Sequence, residues 1–136
     1  MQKILITGIT GRIGSTLLGD LEKLFTSQDN IFLLESKTKV KLPKNSKLKL
    51  HIEKELGVGY DLALHLAAIS DTTFCQDSAN EKEVRKVNID LTKRVCDVAQ
   101  KVIFMSTDYV FNGVLKPGES FNEYDENNPV NKYGDL

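Results

Sequence analysis

The feature that most restricts what this chain can fold into is a strand-length apolar run, Lys3 to Thr7, that passes directly into Gly8, Gly11 and Gly14. A missing Cβ lets the backbone turn tightly there and approach a bound group closely. Beyond the turn Ile13, Leu17, Leu18, Leu21, Leu24 and Phe25 recur at spacings of three and four, so the next segment reads as a helix with one apolar stripe facing a sheet. The N-terminus of that helix would offer free N–H groups and about half a unit of positive charge to a phosphate. The spacing is GxxGxxG rather than GxGxxG, so the strand before it and the helix after it carry the reading.

The remainder keeps alternating between short apolar runs and helical patterns, the sign of a parallel sheet wrapped by helices. Ile31 to Leu34 reads as a strand covered on both faces and ends in Glu35. Lys47 to Ile52 alternates instead, which suits a half-exposed strand at a sheet edge. Ser36 to Ser46 contains Pro43 and too few apolar residues for a helix, so it reads as a loop. Leu62 to Ala68 gives a fourth strand, Glu83 to Gln100 a helix with Val84, Val87, Leu91, Val95 and Val98 on one stripe, and Val102 to Met105 a fifth strand. With right-handed crossovers these predict an α/β fold of Rossmann type, a doubly wound parallel sheet of five strands in the order 3-2-1-4-5. The ligand crevice is expected at the carboxyl ends of strands one and four. From about residue 112 glycines, prolines and asparagines predict an irregular tail.

At 136 residues the chain has room for one domain. A net charge of −1 and a pI near 6.1 give no footprint for nucleic acid or an anionic membrane. The six lysines between Lys37 and Lys49 read as a solvated loop and edge strand. No apolar stretch approaches the roughly 18 residues that span a bilayer, and the N-terminus lacks a secretory pattern. The expectation is a cytoplasmic protein. Cys75 and Cys96 form no CxxC pair and read as reduced thiols, with no metal site.

Several residues are placed by this scheme where a dinucleotide would lie. Glu35, 21 residues after Gly14 at the end of strand two, can accept hydrogen bonds from the adenosine ribose hydroxyls. That favours NAD, whereas Lys37 and Lys39 could accommodate a 2′-phosphate and keep NADP open. The small residues of Ala67-Ala68-Ile69-Ser70 would let a flat ring pass close to the backbone. His65, inside an apolar run, reads as a core-packed neutral imidazole, and His51 as an edge-strand residue. Thr107 follows strand five and Tyr133 lies 26 residues on, so both could reach the crevice. A phenol can protonate a carbonyl while hydride arrives from a cofactor, provided its pKa of about 10 is lowered by a nearby cation.

Ser106-Thr107-Asp108-Tyr109-Val110-Phe111-Asn112-Gly113, then Glu123, then Asn128-Pro129-Val130-Asn131-Lys132-Tyr133-Gly134, resembles the extended short-chain dehydrogenase/reductase family, within it the dTDP-4-dehydrorhamnose reductase branch. The resemblance covers the whole chain. It implies NAD(P)-dependent reduction, or epimerisation and reduction, of a nucleotide-linked 4-keto sugar, with Tyr133 as general acid and Thr107 orienting the substrate carbonyl. Gly8, Gly11, Arg12, Ile13, Gly14, Glu35, Ala67, Ala68 and Ser70 would line the cofactor, and Asp108, Tyr109 and Val110 would touch the sugar nucleotide. Asn88 matches a family asparagine whose role looks structural.

The family's YxxxK motif needs a lysine one position beyond Leu136, and its later strands and substrate domain are not in this sequence. The chain is therefore expected to be an N-terminal fragment that is inactive alone, from a parent that is active and pairs as a homodimer. Exposed apolar surface at strand five, a mobile tail after about Phe111 and a tendency to aggregate are the expected consequences. A second reading is a nucleotide-binding regulatory subunit resembling that of methionine adenosyltransferase. A flavodoxin-like or receiver domain would need a flavin loop or acidic pocket in place of the glycine turn, and neither is present.

Overall fold

Five short segments pair side by side, the three central ones apolar and covered on both faces and the two outer ones partly exposed. In the computed structural model, which describes residues 1–35 and 37–136, they form one parallel sheet in the order β3-β2-β1-β4-β5. The strands are β1 (Lys3–Thr7), β2 (Asn30–Leu34), β3 (Lys49–Glu53), β4 (Leu62–His65) and β5 (Val102–Phe104). The Rossmann-type order expected from the sequence is the observed one. The register aligns Ile4 with Ile31 and with Leu62, so β1 is hydrogen-bonded along both sides.

Alternation along β1 and β2 divides the core between two layers. Ile4, Ile6, Ile31 and Leu33 point to one face, where they meet Leu21 with Leu17, Leu18 and Phe25 of helix α1 (Arg12–Leu24) and its C-cap. Leu5, Ala63 and Tyr60 point to the other and meet Val95, Leu91 and Val98. Each layer therefore seals one face of the sheet. Ile13 and Leu24, expected on the α1 stripe, are about half exposed. At about 100° per residue they lie about 80° and 60° around the helix from Leu21, at the margin of the buried face.

The crossover from β4 to β5 is more irregular than the single helix expected from the sequence. A short helix α2 (Thr72–Gln76), capped by the Asp71 carboxylate on the Phe74 N–H, precedes α3 (Glu81–Arg85), a π-helical turn (Lys86–Asp90) and α4 (Leu91–Val98). The extra residue of the π-turn is invisible to a 3.6-residue periodicity, because Val84 and Val95 stay buried on either side of it. On the far edge Ile103, Phe104 and Met105 remain about half exposed. After the 3₁₀ turn Asp108–Val110 the chain has no regular element until α5 (Lys132–Asp135). That stretch is nevertheless tied back, with Phe111 stacked on Phe121 and the Asn128 N–H donated to the Val110 carbonyl at 2.8 Å. No helix among the described residues is long and apolar enough to cross a membrane. Cys75 and Cys96 are free thiols, and no metal-binding cluster exists among the described residues.

In the first turn two glycines are demanded by packing. Gly8 has φ +71°, and a Cβ on it would sit 2.6 Å from the Ala67 nitrogen. A Cβ on Gly14 would overlap the Gly8 carbonyl oxygen and Ile9 Cα. Gly19, on the exposed side of α1, has open space around it. Gly14→Ala should therefore destabilise the chain by about 1–3 kcal/mol through overpacking. Gly19→Ala should stabilise it by about 0.5–1 kcal/mol. Urea denaturation of the two variants checks both signs.

Candidate functional site

The carboxyl ends of β1 and β4 border two neighbouring chambers that share Ala67 and Ala68 as lining residues. One, of about 300 Å³, is walled by Thr7, Gly8, Thr10 and Gly11 of the first turn, Leu34 and Glu35 after β2, and Val87 and Leu91 of the crossover helix. The other, of about 340 Å³, is walled by Phe104, Met105, Ser106 and Thr107 after β5, with Val110, Asn88, Asn127 and Tyr133. Ala67 and Ala68 line both, so the segment after β4 is the floor over which the chambers meet.

The first chamber has the makings of an anion cradle. Helix α1 begins at Gly11 without a side-chain cap and with no acidic residue in its first turn, so its leading N–H groups are not engaged by a cap. Gly8 and Gly14 are required by packing within the chain, whereas Gly11 is exposed with an ordinary φ of −73°. A Cβ there would meet only the Gly8 carbonyl oxygen, at 3.2 Å. Room at Gly11 is thus left on the outside of the turn, facing whatever the helix end receives. In the same chamber one Glu35 carboxylate oxygen accepts from the Val40 N–H at 3.2 Å, and among the described residues the other oxygen has no hydrogen-bond partner.

A hydrogen-bonded chain holds the floor. Thr92 donates its single hydroxyl proton to the Asn88 carbonyl at 2.8 Å, so its oxygen must accept from His65 Nε2, 2.9 Å away. Nδ1 is then unprotonated and accepts from the Thr7 hydroxyl at 2.6 Å, whose oxygen accepts the Ala67 N–H at 3.2 Å. Counting donors thereby assigns the Nε2–H tautomer. His65 is buried, and burial holds its pKa below the ordinary imidazole value. The sequence reading of a neutral core imidazole matches this, but the chain of partners was not legible in it. Asn88 completes the clamp, accepting the Ile69 N–H at 2.8 Å and donating to the Ile69 carbonyl at 3.0 Å. Asn88 lies within the π-turn.

In the second chamber Thr107 caps the 3₁₀ turn by accepting the Tyr109 N–H at 3.3 Å. Tyr133 lies in α5, whose N-cap Asn131 accepts the Gly134 N–H at 2.9 Å. Gly134 presses against the Tyr109 carbonyl so closely that a Cβ would not fit. This brings the Tyr109 and Tyr133 rings edge to face at 5.7 Å. The Lys132 N–H donates to Gln76 Oε1 at 3.2 Å, which pins α5 to α2.

Among the residues singled out from the sequence, Gly8, Gly11, Glu35, Ala67 and Ala68 share the first chamber, and Ala67, Ala68, Thr107, Val110 and Tyr133 share the second. Gly14 sits behind the turn as packing. Arg12 and Ile13 lie on the outer surface of α1 around a shallow depression, and Ser70, Asp108 and Tyr109 are exposed outside both walls. Thr7, Thr92 and Asn127 were missed by sequence reasoning. Thr7 could have been found as a polar residue closing an apolar strand; Thr92 and Asn127 carry no local signal.

The model of a protein family described as the RmlD substrate binding domain matches residues 1–135. A search of curated proteins finds no match. Among solved structures, the chain is similar to UDP-N-acetylglucosamine 4-epimerase from Methanobrevibacter ruminantium M1 in complex with UDP-N-acetylmuramic acid, at 21% identity and a TM-score of 0.76, covering 98% of this chain and 46% of that one. It is similar to MoeE5 in complex with UDP-glucose and NAD, at 22% identity and a TM-score of 0.73, covering 98% and 44%. It is also similar to ADP-L-glycero-D-manno-heptose-6-epimerase from Helicobacter pylori, at 24% identity and a TM-score of 0.69, covering 98% and 47%. The chain thus spans about half the length of these structures and shares their fold.

Because His65 is held neutral in the fold, its folded pKa lies below the unfolded value of about 6.5. The stability it contributes is present above that value and lost as pH falls through the folded pKa. Unfolding free energy should fall on acidification below about pH 6.5, and His65→Gln should flatten that part of the profile. An unchanged slope in the variant would remove His65 as the cause.

Proposed function

Since the chain belongs to the RmlD substrate binding domain family, we propose that residues 1–136 form the dinucleotide-binding domain of an NAD-dependent enzyme acting on a sugar nucleotide. The reaction is reduction, or epimerisation and reduction, of a 4-keto sugar carried on a nucleotide such as dTDP-4-dehydrorhamnose. The observation that carries this reading is the crevice formed by the two neighbouring chambers, from the uncapped α1 N-terminus, over Ala67 and Ala68, to Thr107 and Tyr133.

Each end of that crevice has its own work. The leading N–H groups of α1 with Gly8 and Gly11 hold the pyrophosphate, and the Glu35 carboxylate accepts from an adenosine ribose hydroxyl, which favours NAD over NADP. Arg12, Ile13 and Gly14 support the turn, and Ala67, Ala68 and Ser70 flank the floor along which the cofactor runs. When bound, the nicotinamide supplies or accepts hydride at the sugar carbon. Tyr133 gives its proton to the carbonyl oxygen that becomes a hydroxyl, and Thr107 donates a hydrogen bond to the same oxygen. Asp108, Tyr109 and Val110 border the sugar nucleotide. A lysine one helical turn after Tyr133, sharing its face, would depress the phenol pKa. Turnover is accordingly proposed for a polypeptide that carries that lysine, a homodimer in this reading, with residues 1–136 supplying the dinucleotide-binding part.

Calorimetric titration should show NAD binding to the 136-residue chain and its weakening in Glu35→Ala. In the polypeptide that carries the lysine, Tyr133→Phe and Thr107→Ala should lower kcat by about 10²- to 10⁴-fold while leaving NAD affinity within about twofold. Binding without turnover across a panel of sugar nucleotides would instead favour a regulatory subunit. Failure to bind any dinucleotide would refute the reading.

A further inference from the structure

Two segments that line the first chamber, the chain after β2 and the crossover helix, are joined by an ion pair whose members do not themselves line it. Lys37, two residues beyond Glu35 and exposed, places Nζ 2.7 Å from Oε1 of Glu83. Glu83 lies in α3, one turn before Val87, and residues four apart share a helix face. Val87 lines the chamber opposite Glu35. The ion pair therefore links the loop after β2 to the crossover helix, from one wall of the chamber to the other. Of the two lysines that could receive a 2′-phosphate, Lys37 is committed to a carboxylate.

We propose that Glu83 is a specificity-determining residue that tilts the site toward NAD by holding Lys37 away from a ribose 2′-phosphate. The inference rests on the dinucleotide reading of the crevice. A 2′-phosphate arriving beside Glu35 would have to draw Lys37 from Glu83, leaving an unpaired carboxylate close to a dianion. A ribose 2′-hydroxyl makes no such demand and leaves the pair closed. Both partners are exposed, so the preference is modest and weakened by salt.

The test is calorimetric measurement of Kd for NAD and NADP with the 136-residue chain at low and high ionic strength. The wild type should prefer NAD, and Glu83→Gln should shift the NADP/NAD affinity ratio toward NADP by about threefold to fivefold at low salt, less at high salt. Adding Lys37→Gln should abolish that shift, whereas adding Lys39→Gln should leave most of it. An unchanged ratio in Glu83→Gln, a shift that survives Lys37→Gln, or a wild type that prefers NADP overturns the proposal while leaving dinucleotide binding intact. Binding of neither dinucleotide by the wild type overturns the cofactor reading and this inference with it.

Discussion

The contact on which the site depends is the one between the end of β1 and the end of β4, where Gly8 lies against the Leu66–Ala67 backbone and Thr7 bonds His65. Parallel strands would otherwise diverge here, since each must leave the sheet for its own helix. Absence of a Cβ at Gly8 allows the approach, and the buried polar chain through His65 fixes its depth. The same chain reaches Thr92 and Asn88, so one set of bonds couples the glycine turn, the crevice floor and the crossover helix. Buried polar chains of this kind stabilise only when every member is satisfied, and no buried side-chain polar atom among the described residues lacks a partner.

From that contact the division of labour along the crevice follows. The helix α1 end, where Arg12 is the first residue, supplies positive potential, and the Glu35 carboxylate lines the same chamber as Gly8 and Gly11. The segment after β4 lines the first chamber with Leu66, Ala67 and Ala68 and the second with the two alanines alone, whose small side chains leave room on both sides. The second chamber depends on a different close approach, Gly134 against Tyr109, which turns the last helix so that Tyr133 lines the cavity with Thr107. Two glycine contacts, far apart in sequence, therefore shape the two ends of one site.

Much of this was legible from local patterns. β1, the glycine turn and α1 are encoded within the first 25 residues, and the alternation at Leu48, Leu50 and Ile52 marked β3 as an edge strand, which it is. Strand bounds moved by a residue or two, as for β3 at Lys49–Glu53, because pairing with β2 rather than the apolar pattern sets where the ladder ends. The π-turn and α2 were not legible. A π-turn inserts one residue without disturbing the apolar stripe on either side, and α2 is a five-residue helix held by its Asp71 cap and its contacts with later chain.

What the amino-acid sequence determined by itself is whatever depends on neighbours close along the chain: the strand–glycine–helix opening, the alternation of strands and helices, and the sheet order they allow. Tertiary structure alone decided which side chains meet. Ala67 and Ala68 became the shared floor, Arg12 and Ser70 were left outside the chambers, and Lys37 found Glu83 46 positions away. The reason is physical: periodicity encodes which face of an element is buried, whereas side-chain partnerships across a crevice depend on distances that only the packed sheet and its crossovers set.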